Sequence, residues 1–99
     1  MTRDEIIIEL RKRDDRLKAM GATSLYVFGS RARGDNRPDS DLDLFMDYNP
    51  GEKVPSLFAI MAVEDDLKSS IGIRPELTTR DSLHYYVRDR IVAEAVQVF

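Results

Sequence analysis

The stretch from Ser24 to Asp47 constrains the fold more than any other part of the chain. Ser24 to Phe28 reads SLYVF, short, β-rich and apolar on both faces. A strand covered on both sides reads this way. It runs directly into Gly29-Ser30, and a loop marked by Asn36, Pro38 and Asp39 follows. Asp41 to Asp47 (DLDLFMD) alternates strictly at its start and predicts a second strand. Residues i and i+2 of a strand share a face, about 7 Å apart at Cα. Leu42 and Leu44 then face a core, and Asp41 and Asp43 face away from it.

A strand buried on two sides needs helices, and the flanking sequence supplies them. Thr2 to Glu5 is a capping box. Ile6, Ile7, Leu10, Leu17 and Met20 recur at helical spacing and predict one helix over about Arg3 to Met20, with Gly21 as its stop. Ser56 to Ile71 predicts a second helix, with Leu57, Ile60, Met61, Leu67 and Ile71 on its apolar face and Gly72 as its stop. Ile73 to Thr78 is a weaker strand, and Pro75, which lacks an N–H, places it at an edge or makes it irregular. Asp81 or Ser82 caps a last helix carrying Leu83, Val87, Ile91 and Ala95, and VQVF ends the chain as a short strand or a packed tail. The order α-β-β-α-β-α predicts an α/β (α+β) domain, a small sheet flanked by helices.

Composition narrows the possible functions. The 99 residues suit a single domain, 1–99, and 42% apolar content is enough for one core. A formal net charge of −3 argues against general nucleic-acid binding. The absence of cysteine excludes disulfides and thiolate metal sites. The N-terminal residues are too charged for a signal peptide, and no apolar run approaches a membrane span. A cytoplasmic protein is expected.

The chemistry concentrates around the first two strands. Two carboxylates on one face, Asp41 and Asp43, raise a pKa or recruit a cation. Hard oxygen donors favour Mg²⁺. The plainer reading, a solvated polar face, has equal weight for the strand alone. Upstream, Gly29 permits positive φ or a close backbone approach. Ser30 suits the N-cap of a short helix, Arg31 to Arg33, ended by Gly34. Exposed N–H groups at a helix start attract anions, and Arg31 and Arg33 add phosphate donors. An anion site beside an acidic strand would bind opposite ends of one Mg²⁺-triphosphate. Two rival motifs fail. Gly29 to Gly34 has P-loop spacing, but Asp35-Asn36 stands where Lys-Ser/Thr is required. Asp39, Asp41 and Asp43 resemble a calcium loop, but Leu44 and Pro50 occupy its Gly and Glu positions.

GSRARG followed by SDLDL resembles the nucleotidyltransferase signature of the DNA polymerase β-like superfamily. The whole chain is similar to the minimal nucleotidyltransferase (MNT) domains of prokaryotes. That resemblance implies the polymerase β-like fold, with a small mixed sheet. It implies that Gly29 and Ser30 hold the triphosphate, helped by Arg31 and Arg33, and that Asp41 and Asp43 bind metal, as two Mg²⁺ ions. The third acid falls at Glu76, in P-E-L where the family usually reads V-D-L. Glu76 would be a metal ligand or general base. The implied reaction is in-line transfer of a nucleoside monophosphate, AMP from ATP, to a hydroxyl. Larger members carry a second helical domain over the site. Minimal members pair with a helical HEPN toxin, which implies a hetero-oligomer and AMP transfer to a toxin tyrosine, the MNT chain being the antitoxin. Two rival functions stand beside this one: a non-catalytic module that neutralises the toxin by binding it, and a small-molecule (antibiotic) nucleotidyltransferase.

Other residues attract notice. His84, the only histidine, reads as structural or exposed rather than catalytic, and Tyr85, Tyr86 and Phe99 suggest a partner surface. Arg11, Lys12, Arg13 and Arg16 interleave with Asp14 and Asp15 as a solvated helix face does.

Overall fold

A computed structural model describes all residues, 1–99. Strands β1 (Ala22–Phe28), β2 (Leu42–Tyr48), β3 (Pro75–Thr79) and β4 (Val96–Gln97) form one sheet in the order β3-β2-β1-β4. β1 pairs antiparallel with β2 and β4, and β2 pairs parallel with β3, so the sheet is mixed. The helices are α1 (Arg3–Arg11), α2 (Asp14–Ala19), α3 (Ser30–Arg33), α4 (Leu57–Ile71) and α5 (Tyr85–Glu94). No helix is long and apolar enough to cross a membrane.

One sheet face carries the main core. Leu25 and Val27 of β1, Leu42, Leu44 and Met46 of β2 and Leu77 of β3 pack with Ile6, Ile7, Leu10, Leu17, Val63 and Leu67 from the helices. The strand alternation predicted at Leu42 and Leu44 is what puts both at 0% exposure. The other face holds a smaller aromatic layer. Phe45 is fully buried there, stacked on Tyr26 with ring centroids 4.7 Å apart and 5.7 Å from Phe28.

The structure corrects several sequence expectations. The predicted helix Arg3–Met20 is two helices. Arg13 leaves helical geometry at φ −109°, ψ 14°, and its Nη1 donates to the Glu9 carbonyl at 2.6 Å. Arg13 and Arg16 both reach Asp66 of α4, at 3.7 and 3.1 Å, so a tertiary ion pair holds the break. On α4, Ser56 is the N-cap and Gly72 the left-handed stop, but Leu57 and Met61 are exposed. Leu67 is buried as predicted, with Ile60 and Ile71 partly buried beside it, and Val63 joins it on the buried face. The last helix is capped by neither Asp81 nor Ser82, which lie in a 3-10 turn (Arg80–Ser82). His84 is the cap, its Nδ1 accepting from the Tyr86 N–H at 3.3 Å, the structural use expected of a lone histidine. Tyr85 and Tyr86 are exposed beside it, whereas Phe99 is partly buried with Lys18 over its ring.

The β3 edge is partly closed to further pairing. Pro75 and Leu77 present their outer side at the β3 edge. Proline has no N–H there, and the Leu77 N–H donates to Glu64 Oε2 of α4 at 3.1 Å. On the far side the Val98 carbonyl accepts from Arg11 Nε at 2.8 Å. Glu64→Ala leaves the Leu77 N–H unpaired and is expected to cost about 1 kcal/mol. A lower Tm and faster exchange of the Leu77 amide would register it; an unchanged Leu77 exchange rate would show that Glu64 does not seal the edge.

Candidate active site

Register assembles the site across three strands. Phe28 of β1 stands opposite Asp43 of β2, and Asp43 stands opposite Glu76 of β3. All three lie on the face away from the main core. Asp41 lies just before β2, two residues ahead of Asp43. The sequence thus brings Asp41, Asp43 and Glu76 to one end of one face, although Glu76 is far along the chain.

The proximity has an electrostatic consequence. The Asp43 carboxyl is held above the usual carboxylate range, first by burial, then by the negative charges of Glu76 and Asp41, while Arg33 pulls it the other way. No three Asp, Glu or His side chains stand at metal-ligand spacing anywhere in the chain. The three acids are close enough to repel but do not form a closed cage. Their donor set is entirely carboxylate oxygen. That chemistry fits a hard divalent cation, whose charge would relieve the repulsion at Asp43. Asp41, Asp43 and Glu76 are the residues that could hold it.

Gly29 closes the turn over Asp43. It adopts φ 74°, ψ −157°, a region nearly restricted to glycine. A Cβ there would run into Asp43 Oδ2 and lie 3.3 Å from its Cγ. The glycine therefore serves a close approach between the turn and the acid. Gly29, not Ser30, occupies the cap position of α3, because Gly29 is the residue with non-helical angles, and its carbonyl accepts from the Ala32 and Arg33 N–H groups. Ser30 is the first helical residue, and Gly34 ends the turn in the left-handed region at φ 84°.

The two arginines of α3 part company. Arg31, expected at the phosphates, is 5% exposed. Its Nε donates to the Ser40 carbonyl at 3.0 Å and its Nη2 to the Pro38 carbonyl at 3.3 Å. Burial needs those carbonyl partners, and they turn Arg31 into a clasp for the loop that delivers Asp41. Arg33 lies on the outer side of α3, with its side chain 46% exposed, and pairs with Asp35 and Glu94.

A pair the sequence reading missed lies further along the same face. Arg80 makes a two-pronged bond to Asp47, Nε to Oδ1 at 2.7 Å and Nη2 to Oδ2 at 3.0 Å. Its guanidinium lies over Phe45 and Tyr26, 5.1 and 5.2 Å from the ring centroids. The alternation that singled out Asp41 and Asp43 also puts Asp47 on their face. No local signal tied Asp47 to an arginine 33 positions away. A polar cavity of about 330 Å³ borders Glu76, lined also by Glu64, Lys68 and Arg74. A larger cavity of about 470 Å³ lies by Arg31, Asn36 and Ile73 and touches none of the three acids.

The chain matches known proteins over nearly its whole length. Residues 6–98 match the family described as "Nucleotidyltransferase domain". The chain is 32% identical over 94 residues to the protein adenylyltransferase MntA of Thermococcus cleftensis, covering 95% of this chain and 91% of that protein. It is similar to a solved structure assigned as a minimal nucleotidyltransferase, with 30% identity, a TM-score of 0.70, and coverage of 97% of this chain and 95% of that one. It also shares its fold with a solved complex of a tri-AMPylated Shewanella oneidensis HEPN toxin and its MNT antitoxin, with 14% identity, a TM-score of 0.68, and coverage of 99% of this chain and 72% of the matched chain.

Proposed function

Because the chain belongs to the nucleotidyltransferase domain family, we propose that it transfers AMP from ATP to a hydroxyl of a protein partner. One observation carries the reading: Asp43 and Glu76 are register neighbours, with Asp41 beside them and the Gly29 turn closed against Asp43. The AMP donor and the protein acceptor follow from the similarity to a protein adenylyltransferase. The partner is a HEPN toxin, by likeness to the AMPylated toxin–antitoxin complex, and the acceptor is a toxin tyrosine, as the resemblance to the MNT family implies. The chain is then an antitoxin.

In this reading the Gly29-Ser30 turn seats the triphosphate, and Arg33 supplies a cationic contact. Arg31 contributes by ordering the Pro38–Ser40 loop ahead of Asp41. Asp41, Asp43 and Glu76 would hold Mg²⁺, which when bound would supply charge neutralisation on the phosphate oxygens. The acceptor oxygen attacks the α-phosphorus, a P–O bond forms, and the bond to pyrophosphate breaks. Glu76 is the exposed acid of the three, so its carboxylate meets the incoming acceptor and takes the hydroxyl proton.

The test is incubation of the protein with α-labelled ATP, Mg²⁺ and its HEPN partner. Label is expected on the partner, and should vanish with chelator and with Asp43→Asn. A stable complex without label would show a binding-only antitoxin. Label on a small hydroxylated acceptor with none on protein would show a small-molecule transferase.

A further inference from the structure

Two of the three nitrogens of the Arg33 guanidinium are held within the chain. Nε donates to Asp35 Oδ2 at 3.1 Å, and Nη1 donates to both oxygens of Glu94, at 3.1 and 3.2 Å. Nη2 keeps both its donors free. Glu94 is the last residue of α5, 61 positions from Arg33, with its side chain only 23% exposed. Asp35 follows the left-handed Gly34 directly. The two carboxylates thus grip one edge and one corner of a planar group that sits four residues past Gly29. Arg33 ends the four-residue α3, whose cap is Gly29, the residue that closes against Asp43.

A half-exposed ion pair of this kind contributes little to stability. Its geometry has another use. A free arginine loses side-chain entropy when it engages a ligand, about 0.5–1.5 kcal/mol for a rotamer-rich side chain. An arginine already held on two nitrogens has lost most of that freedom beforehand. Its remaining nitrogen is presented in a fixed direction, and the planar fork makes that direction definite.

We propose that Glu94 is a positioning residue for the nucleotide: together with Asp35 it brackets Arg33 so that Nη2 meets a phosphate oxygen of a nucleoside triphosphate seated at Gly29-Ser30. This rests on the nucleotidyltransferase reading above. It assigns α5, which carries none of the three acids, a part in binding the triphosphate. It also divides the arginines of the GSRARG turn, with Arg31 ordering the loop and Arg33 directed at the ligand.

The test is titration of the full chain with AMP-PNP and Mg²⁺ by calorimetry, with ATP KM and kcat measured alongside. Glu94→Ala is expected to weaken AMP-PNP binding and raise the ATP KM by about 3–10-fold, the range set by one arginine side chain left to be ordered. The kcat and the Tm should stay close to those of the parent. Glu94→Gln keeps one acceptor oxygen and should recover part of the loss. In an Arg33→Ala background, Glu94→Ala should have no further effect on AMP-PNP affinity. Unchanged affinity in Glu94→Ala, or a loss that persists without Arg33, overturns the assignment. A parent protein that fails to bind AMP-PNP at all overturns the nucleotidyltransferase reading and this inference with it.

Discussion

Asp43→Asn is expected to cut nucleotidyl transfer steeply while making the protein more resistant to heat. Both effects come from one environment. Asp43 is partly buried between Glu76 and Asp41, and burial and those charges raise its pKa above the ordinary carboxylate value. A carboxyl that binds its proton more tightly when folded favours the folded state most at low pH. That contribution is complete below the unfolded pKa and is lost as pH rises through the folded one. At neutral pH the ionised Asp43 is therefore a cost to the fold. Asparagine keeps the shape, removes the charge and removes the cost. Solvent screening limits the gain, and a Tm increase on the order of 2 °C is expected. The same change removes a charge from the proposed metal site, and transfer should fall roughly 10³-fold, the scale seen when one charge-stabilising group is lost from an active site. Melting curves at pH 7 and pH 4 give the decisive comparison. The variant's advantage should be present at pH 7 and shrink toward pH 4. A variant less stable than the parent at pH 7 would contradict this account of the site.

The second large effect is expected at Gly29. Gly29→Ala forces a Cβ into a backbone region that side chains avoid, and directs it at Asp43 Oδ2. The backbone strain alone costs about 1–3 kcal/mol. The displaced carboxylate should take the activity with it. Gly34 provides the comparison. It too has positive φ, but in the left-handed region with nothing within 4 Å of an added Cβ. Gly34→Ala should cost only about 1–2 kcal/mol and leave nucleotide affinity intact. The clash and the strain are separable. In an Asp43→Ala background the colliding oxygen is gone and the nearest remaining Asp43 atom, Cβ at 3.4 Å, is an ordinary contact. Gly29→Ala should then cost less than in the parent, and the difference measures the clash. Equal costs in the two backgrounds would mean that the turn does not press on Asp43.

Much of this was legible in the chain itself, wherever the signal is local. Period-two alternation placed Leu42 and Leu44 in the core and Asp43 opposite. Thr2, Ser56, Gly34 and Gly72 marked helix ends because capping involves only neighbouring residues. Pro75 predicted an edge strand, and it stands at one. The GSRARG and SDLDL motifs pointed to the family, which the match over residues 6–98 bears out.

What escaped depends on partners distant in sequence. Leu57 and Met61 fit the helical period as well as Val63 does, and only the seating of α4 on the sheet decides which side is buried. The break between α1 and α2 is held through Asp66, more than fifty positions away. Arg31 and Arg33 are indistinguishable by type and differ by two places. One reaches the carbonyls of Pro38 and Ser40, and the other meets Glu94. The sequence by itself determined the first three strands, the polar and apolar sides of Asp41 to Asp47 and the helix ends at Thr2, Gly34, Ser56 and Gly72, because backbone periodicity and capping act over a few residues. Tertiary structure alone decided that Glu76 falls beside Asp43, that Gly29 presses on that carboxylate and that Glu94 holds Arg33. Strand register and helix seating bring distant side chains into contact, and neither is encoded in any short stretch.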